Sequence, residues 1–413
     1  MRLNKLTNVL VLQSKTPHTL VAGISGYGKG VWAESYITKY IGEWKVFDIN
    51  SESRGEGMFY GFEQDSKSML ERIDYLSNGL IKPKSYNNEI IMFLGNNLKK
   101  LKQLPENVKI CVFNEEWITN EDLKNFLAFN ESQIGFMDTV FEMHDDSHIT
   151  LTEFYEYLMK VSQPESKERR QLKEYGGGHY MTINTIKRRA RSLLRSGLFW
   201  NNEEDIPDYF EYLDLDKSAR NPEAITTYSR YLIDNPYTSY VCMNVLIKKF
   251  IEYIELRETE VPMLFYVREL NDFYRMKDPP QYVIEIQENL DKILRKGRFL
   301  GKSKIMLVCD TQLLNDIPTY MFNSFNKYIV FRLPLGDSKK LLNKATIPPQ
   351  YLLALSRLEV GYYMSAISGA FQYPCMALPT LHKKAEPDFD VFEHLTNIYG
   401  AKDYSTSVFV EDS

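Results

Sequence analysis

Gly23-Ile24-Ser25-Gly26-Tyr27-Gly28-Lys29-Gly30 is the stretch that decides how this chain is read. It fits G-x-x-x-x-G-K-[S/T] at every position but the last, where Gly30 stands. His18 to Ala22 ends in a short apolar run that suits a buried strand, and Val31 to Ile37 suits a helix. Strand, glycine-rich turn and helix give the motif a physical meaning. The glycines let the backbone curl until successive N–H groups point at a phosphate chain, Lys29 reaches the terminal phosphates, and the helix N-terminus adds partial positive charge. Gly23, Ser25, Gly26, Tyr27, Gly28, Lys29, Gly30 and Val31 are therefore the candidate nucleotide-binding positions. The usual Ser or Thr hydroxyl binds magnesium, and Gly30 has no side chain to do so.

Outward from this loop, residues 6–60 read as β-α-β. The second strand runs from Trp44 to Ile49 and ends in a loop with Gly55 and Gly57. Two strands around one crossover helix predict a parallel sheet, with the phosphate loop at its C-terminal edge. The rhythm weakens over 61–180. Short strands are expected at Glu89–Leu94 and Val108–Phe113, and helices at about 120–130 and 150–162. The stretch from Ser162 to Arg170 is polar and breaks the pattern, and Gly176-Gly177-Gly178 marks a flexible joint. A helix over 184–196, with Asn184 as N-cap and Gly197 past its end, carries Arg188, Arg191 and Arg195 on one face. The αβ alternation returns after 223. Strands are expected at 224–228, 261–267, 304–309, 328–331, 361–364 and 374–377, with helices at about 239–257 and 280–297.

The bulk properties bound the function. The chain has 413 residues, 44% hydrophobic and 25% charged, and a net charge of −5. This is a globular composition with room for two domains or one with an insertion, and it excludes a uniformly basic nucleic-acid coat. Four scattered cysteines form no C-x-x-C pair, which predicts neither a zinc site nor a disulfide framework and suits a reducing, cytoplasmic compartment. Neither a signal peptide nor a bilayer-spanning stretch is visible, so membrane or virion association is expected only through partners.

Two strand ends supply the remaining chemistry. Val261–Val267 runs straight into Arg268-Glu269-Leu270, and Lys304–Cys309 ends in Asp310-Thr311-Gln312. A carboxylate after a buried strand beside a phosphate loop orients an attacking water, and a polar residue on the adjacent strand senses the terminal phosphate. Arg295 and Arg298 lie near the end of the intervening helix, where an arginine acts as a finger on a neighbour's nucleotide.

In order, Gly23 to Lys29, Asp48, Glu269, Gly297-Arg298, Thr311-Gln312 and Phe331-Arg332 resemble the motifs of the FtsK–HerA superfamily of DNA-pumping ATPases. That superfamily includes type IV secretion and conjugation ATPases and viral packaging ATPases. The resemblance covers roughly 15–60 and 180–380. It implies an α/β fold, a RecA-like P-loop NTPase with a mostly parallel sheet and helices on both faces. The core is expected in 1–64 and 221–413, with a mostly helical insertion at 65–220. It further implies ATP and Mg2+ as cofactors, hexameric rings of identical subunits, double-stranded DNA as substrate, and nuclease, portal or secretion partners. Glu269, Gln312, Arg298 and Arg295 are the implied catalytic positions.

Two departures fall on one function. Gly30 removes the magnesium-binding hydroxyl, and Arg268 stands where the family has the Asp of an Asp-Glu pair. Either phosphates and water hold the ion, or Arg268 supplies charge in its place; hydrolysis is then weak or absent, and the alternative is a nucleotide-binding structural or regulatory subunit.

Plainer readings sit beside these. Arg268 pairs with Glu269 or Asp272, Asp48 accepts hydrogen bonds in a turn, and Arg295 and Arg298 suit a helix C-terminus. The arginine face of 184–196 is solvated rather than DNA-bound. His144 and His148, spaced i,i+4, lie in a solvated turn rather than on a metal.

Overall fold

The computed structural model describes residues 18–50, 87–93, 108–145, 147–175, 179–202, 210–230, 233, 235–256, 261–296, 304–345, 350–367, 370–371 and 375–376. The strands in chain order are β1 (Thr19–Ala22), β2 (Lys45–Asn50), β3 (Asn87–Phe93), β4 (Val108–Asn114), β5 (Phe199–Trp200), β6 (Phe210–Tyr212), β7 (Ala224–Ser229), β8 (Met263–Val267), β9 (Ile305–Thr311), β10 (Lys327–Val330), β11 (Tyr362–Ile367), β12 (Ala370–Phe371) and β13 (Cys375–Met376). They form one sheet in the order β12-β11-β10-β1-β9-β8-β2-β7-β3-β4-β5, with β13 on β11 and β6 on β4. From β10 through β4 every pairing is parallel, and β11 to β13 add antiparallel pairs at one edge.

The helices are α1 (Lys29–Ile37), α2 (Asn120–Leu127), α3 (Glu131–Glu142), α4 (Leu151–Val161), α5 (Lys167–Glu174), α6 (Tyr180–Leu194), α7 (Leu215–Ala219), α8 (Pro236–Leu256), α9 (Gln281–Lys296), α10 (Thr319–Phe322), α11 (Leu335–Ala345) and α12 (Gln350–Leu355). Side-chain alternation splits the core strands between two packed faces. Val21, Val46, Leu264, Tyr266, Met306 and Val308 point toward Trp32, Ala33, Tyr36 and Ile37 of α1. Leu20, Phe47, Phe265 and Leu307 point the other way, into a larger cluster that takes in α8 and α9. A strand buried on both faces has to be apolar at successive positions, and so these strands read as continuous runs.

The boundary drawn at 65–220 changes character in the structure. β3 pairs with β7 and β4 with β3, so the core sheet continues into that segment. Its helices are α2 to α7. Thr119 and Thr150 each close a capping box, with Asp122 and Glu153, and so fix the starts of α2 and α4. The helix expected at 120–130 is two helices, because Asn130 caps α3 with its side chain accepting from the Gln133 N–H. The polar stretch 162–170 also contains a helix start: Ser166 caps α5, whose single buried residue is Leu172. The helix expected at 184–196 begins earlier, at Tyr180, with His179 rather than Asn184 at its cap position. Gly176 to Gly178, Gly55 and Gly57 lie outside the described residues.

Candidate nucleotide site

Because the core strands are parallel, their C-terminal ends share one edge, and the expected phosphate loop is there. Gly23 follows β1. Its N–H donates to the Thr311 carbonyl at the end of β9, and the Ile24 N–H donates to the Arg332 carbonyl past β10. A Cβ on Gly23 would lie 2.6 Å from Phe331 Cβ, so only glycine lets the loop leave between the two strands. Gly26 and Gly28 have φ of +80° and +102°, a region that favours glycine. Gly28 then caps α1, whose first turn holds no acidic residue.

The N–H groups of Ser25, Gly26, Tyr27, Gly28 and Lys29 make no hydrogen bond to the described residues. Lys29 is 6% exposed and likewise makes no hydrogen bond or ion pair among them. Arg332 donates to the Tyr27 hydroxyl at 2.6 Å and lies over its ring, holding the loop's one aromatic side chain. A row of outward amides, a helix N-terminus and an unpaired ammonium make an anion-binding concavity.

Glu269 and Gln312 meet beside it. Gln312 Nε2 donates to Glu269 Oε1 at 3.1 Å. Glu269 adopts a left-handed backbone, φ +48°, rare for a residue with a side chain. That conformation is held by its own N–H donating to Asp310 Oδ1 at 2.5 Å, while Tyr266 donates to Asp310 Oδ2 at 2.6 Å. Burial and the nearby Asp310 carboxylate raise the Glu269 pKa; Gln312 and Lys29 oppose them in part. A carboxylate made more basic in this way is suited to take or hold a proton from water.

Asp310 and Asn271 were missed by sequence reasoning. Asn271 Oδ1 accepts from the Gln312 N–H at 3.2 Å and the Thr311 hydroxyl at 3.3 Å, locking the segment after β8 to the end of β9. The only sequence signal was adjacency: Asp310 precedes Thr311-Gln312, and Asn271 stands two residues after Glu269.

Arg268 departs from both plain pairings. It bonds neither Glu269 nor Asp272; Asp272 is paired with Arg230 and Arg275 instead. The Arg268 guanidinium takes Asp48 through Nε at 3.0 Å and a second nitrogen at 2.9 Å, and Glu34 at 3.1 Å. Asp48 is thus no turn residue but a buried acceptor within β2. Burial works against the charge on Arg268, yet Asp48, Tyr266 and Glu34 hold its pKa well above the usual range.

The other candidates stand apart. Arg295 pairs with Asp291 one turn away and lies over Tyr320, bonded to none of the loop residues. Arg298 lies outside the described residues. On α6, Arg188 and Arg195 are exposed, while Arg189 turns inward to the Leu127 carbonyl and stacks 3.5 Å over Phe129. His144 bonds the Val140 carbonyl and His148 pairs with Glu116. Among the described residues no cluster of three metal-ligating side chains occurs, and no helix is long and apolar enough to cross a membrane.

The fold is that of conjugation proteins. The chain superposes on VirB4 of Thermoanaerobacter pseudethanolicus with a TM-score of 0.54, at 12% identity over 92% of this chain and 91% of that one. It superposes on the bacterial conjugative coupling protein TrwBΔN70 with a TM-score of 0.51, at 12% identity over 94% and 93%. A structure of the plasmid coupling protein TrwB with ADP and Mg2+ gives 0.50, at 12% identity over 90% and 87%. At such identity the likeness establishes the fold, the RecA-like P-loop architecture that the resemblance to the FtsK–HerA superfamily implied. No protein-family model matches the chain, and no curated protein matches it.

That TrwB structure is a complex with ADP and Mg2+; in this chain no three metal-ligating side chains come together among the described residues. Gly30 offers no hydroxyl, and the nearest atom to a Cβ at that position would be Glu34 Oε1, 4.0 Å away, which is already bonded to Arg268. The residues present do not fit the ion.

Proposed function

We propose that this chain is an ATP-binding, ATP-hydrolysing motor subunit that acts on double-stranded DNA as part of an oligomeric ring. The observation that carries the reading is the convergence at one sheet edge of an amide-lined loop with unpaired Lys29, the basic carboxylate of Glu269, and Gln312 bonded to it. Lys29 and the loop amides hold the phosphates. Glu269 accepts the proton of an attacking water, and Gln312 ties that carboxylate to the strand beside the phosphate loop. Arg295 near the end of α9, and Arg298, are the proposed fingers toward a neighbouring subunit. The fold shared with a conjugative coupling protein supports the DNA role. The buried Arg268 cluster favours one second reading, a nucleotide-binding structural subunit without turnover.

ATP hydrolysis by the purified chain, with and without linear duplex DNA, separates the two. Turnover stimulated by DNA and lost in Lys29→Ala and Glu269→Gln supports the motor. ATP binding abolished by Lys29→Ala, with no turnover in the parent, leaves the structural subunit.

A further inference from the structure

We infer that Arg268 is a fixed cation built into the nucleotide site, so that the chain binds a nucleoside triphosphate without a divalent metal held by the protein. The inference rests on the nucleotide-site reading above and specifies the form of its ligand.

Glycine is required at three positions of the loop and not at the fourth. Gly23 is confined by Phe331, and Gly26 and Gly28 by positive φ. Gly30 has an ordinary helical backbone, and a Cβ there would meet nothing nearer than 4.0 Å. The fold therefore does not forbid a hydroxyl at position 30, and its absence is a property of the site's chemistry.

The second departure occupies the same place. Glu34 lies one turn after Gly30 on α1, and its Oε1, at 4.0 Å, is the nearest atom to a Cβ placed at position 30. Arg268 reaches that oxygen from the end of β8 and at the same time grips Asp48 on β2. Both carboxylates, Glu34 and Asp48, already bond a cation that cannot dissociate or lose its proton. The Arg268 side chain is 13% exposed, more than either carboxylate it bonds. Arg268 thus takes up both carboxylates that could ligate an ion, and Lys29 is the positive charge left unpaired beside the loop amides.

The test is titration calorimetry of the intact chain with ATP, in buffer with EDTA and in buffer with magnesium. Affinities within about threefold of each other are expected. Binding at least about tenfold tighter with magnesium overturns the inference and leaves the nucleotide site standing. No binding in either buffer overturns the site itself and the inference with it. Arg268→Gln is the second arm: in EDTA its ATP affinity is expected to fall about tenfold or more, and magnesium to restore part of the loss. An unchanged affinity for folded Arg268→Gln in EDTA also overturns the inference. Should that variant not fold, the comparison on the unaltered chain still decides.

Discussion

Replacing Arg268 with methionine tests whether the buried ion cluster ties α1, β2 and β8 together. Methionine keeps much of the length and removes the charge. It deletes the contacts to Asp48 at 2.9 and 3.0 Å and to Glu34 at 3.1 Å. The two carboxylates left behind have side chains 0% and 1% exposed. Removing one partner of a buried pair costs about 3–5 kcal/mol. At roughly 2–4 °C per kcal/mol, typical of somewhat shorter chains, the melting temperature falls by roughly 6–20 °C. The loss depends on pH with a definite sign. Burial already raises the Asp48 pKa against the pull of Arg268, and without the guanidinium it rises further. A raised carboxyl pKa means stability that is lost as pH rises through it. The deficit is therefore larger at pH 8 than at pH 5. Thermal melts of the parent, Arg268→Met, Asp48→Asn and the double variant measure this. The double variant should recover about 1–3 kcal/mol relative to the sum of the singles. Strict additivity, or a melting temperature for Arg268→Met within about a degree of the parent, well under the shift of one kcal/mol, would refute the reasoning.

Other outcomes follow from the same geometry. Glu269→Gln should cut turnover by about 10²–10⁴-fold while nucleotide still binds. Because the Glu269 pKa is raised, its ionised form opposes folding; the variant should therefore melt no lower than the parent at neutral pH, any gain vanishing below about pH 4. Gly23→Ala should destabilise by about 1–3 kcal/mol, through the 2.6 Å approach to Phe331 Cβ, and Gly30→Ala should not; a matched pair of chemical denaturation curves reads the contrast. Asn271→Ala should cost about 1–3 kcal/mol, because the buried Gln312 N–H loses its acceptor; it should lower kcat more than it weakens nucleotide binding.

The phosphate loop was legible because its determinants are local. Gly26 and Gly28 stand where the loop's own backbone demands glycine, and the strand and helix around them each carry their own pattern. The core strands could be read for a related reason: two buried faces leave no polar interruptions. The elements that were misread had weak local signals. α5 buries one residue in eight, and the break between α2 and α3 depends on a cap at Asn130 inside a continuous polar-apolar pattern.

The site lay partly beyond such reading. Glu269 and Gln312 could be nominated as strand-end polar residues, but their hydrogen bond depends on β8 and β9 being neighbours. Arg268 shows the limit most clearly. Its partners Asp48 and Glu34 lie 220 and 234 positions away, whereas the nearby Glu269 and Asp272 looked equally eligible by sequence. Sequence by itself determined the glycine-rich strand-loop-helix, the apolar strands and the residue types at their ends. Only the tertiary structure decided which ends meet, because sheet order is set by packing among distant strands, and a charge takes whichever partner shares its burial.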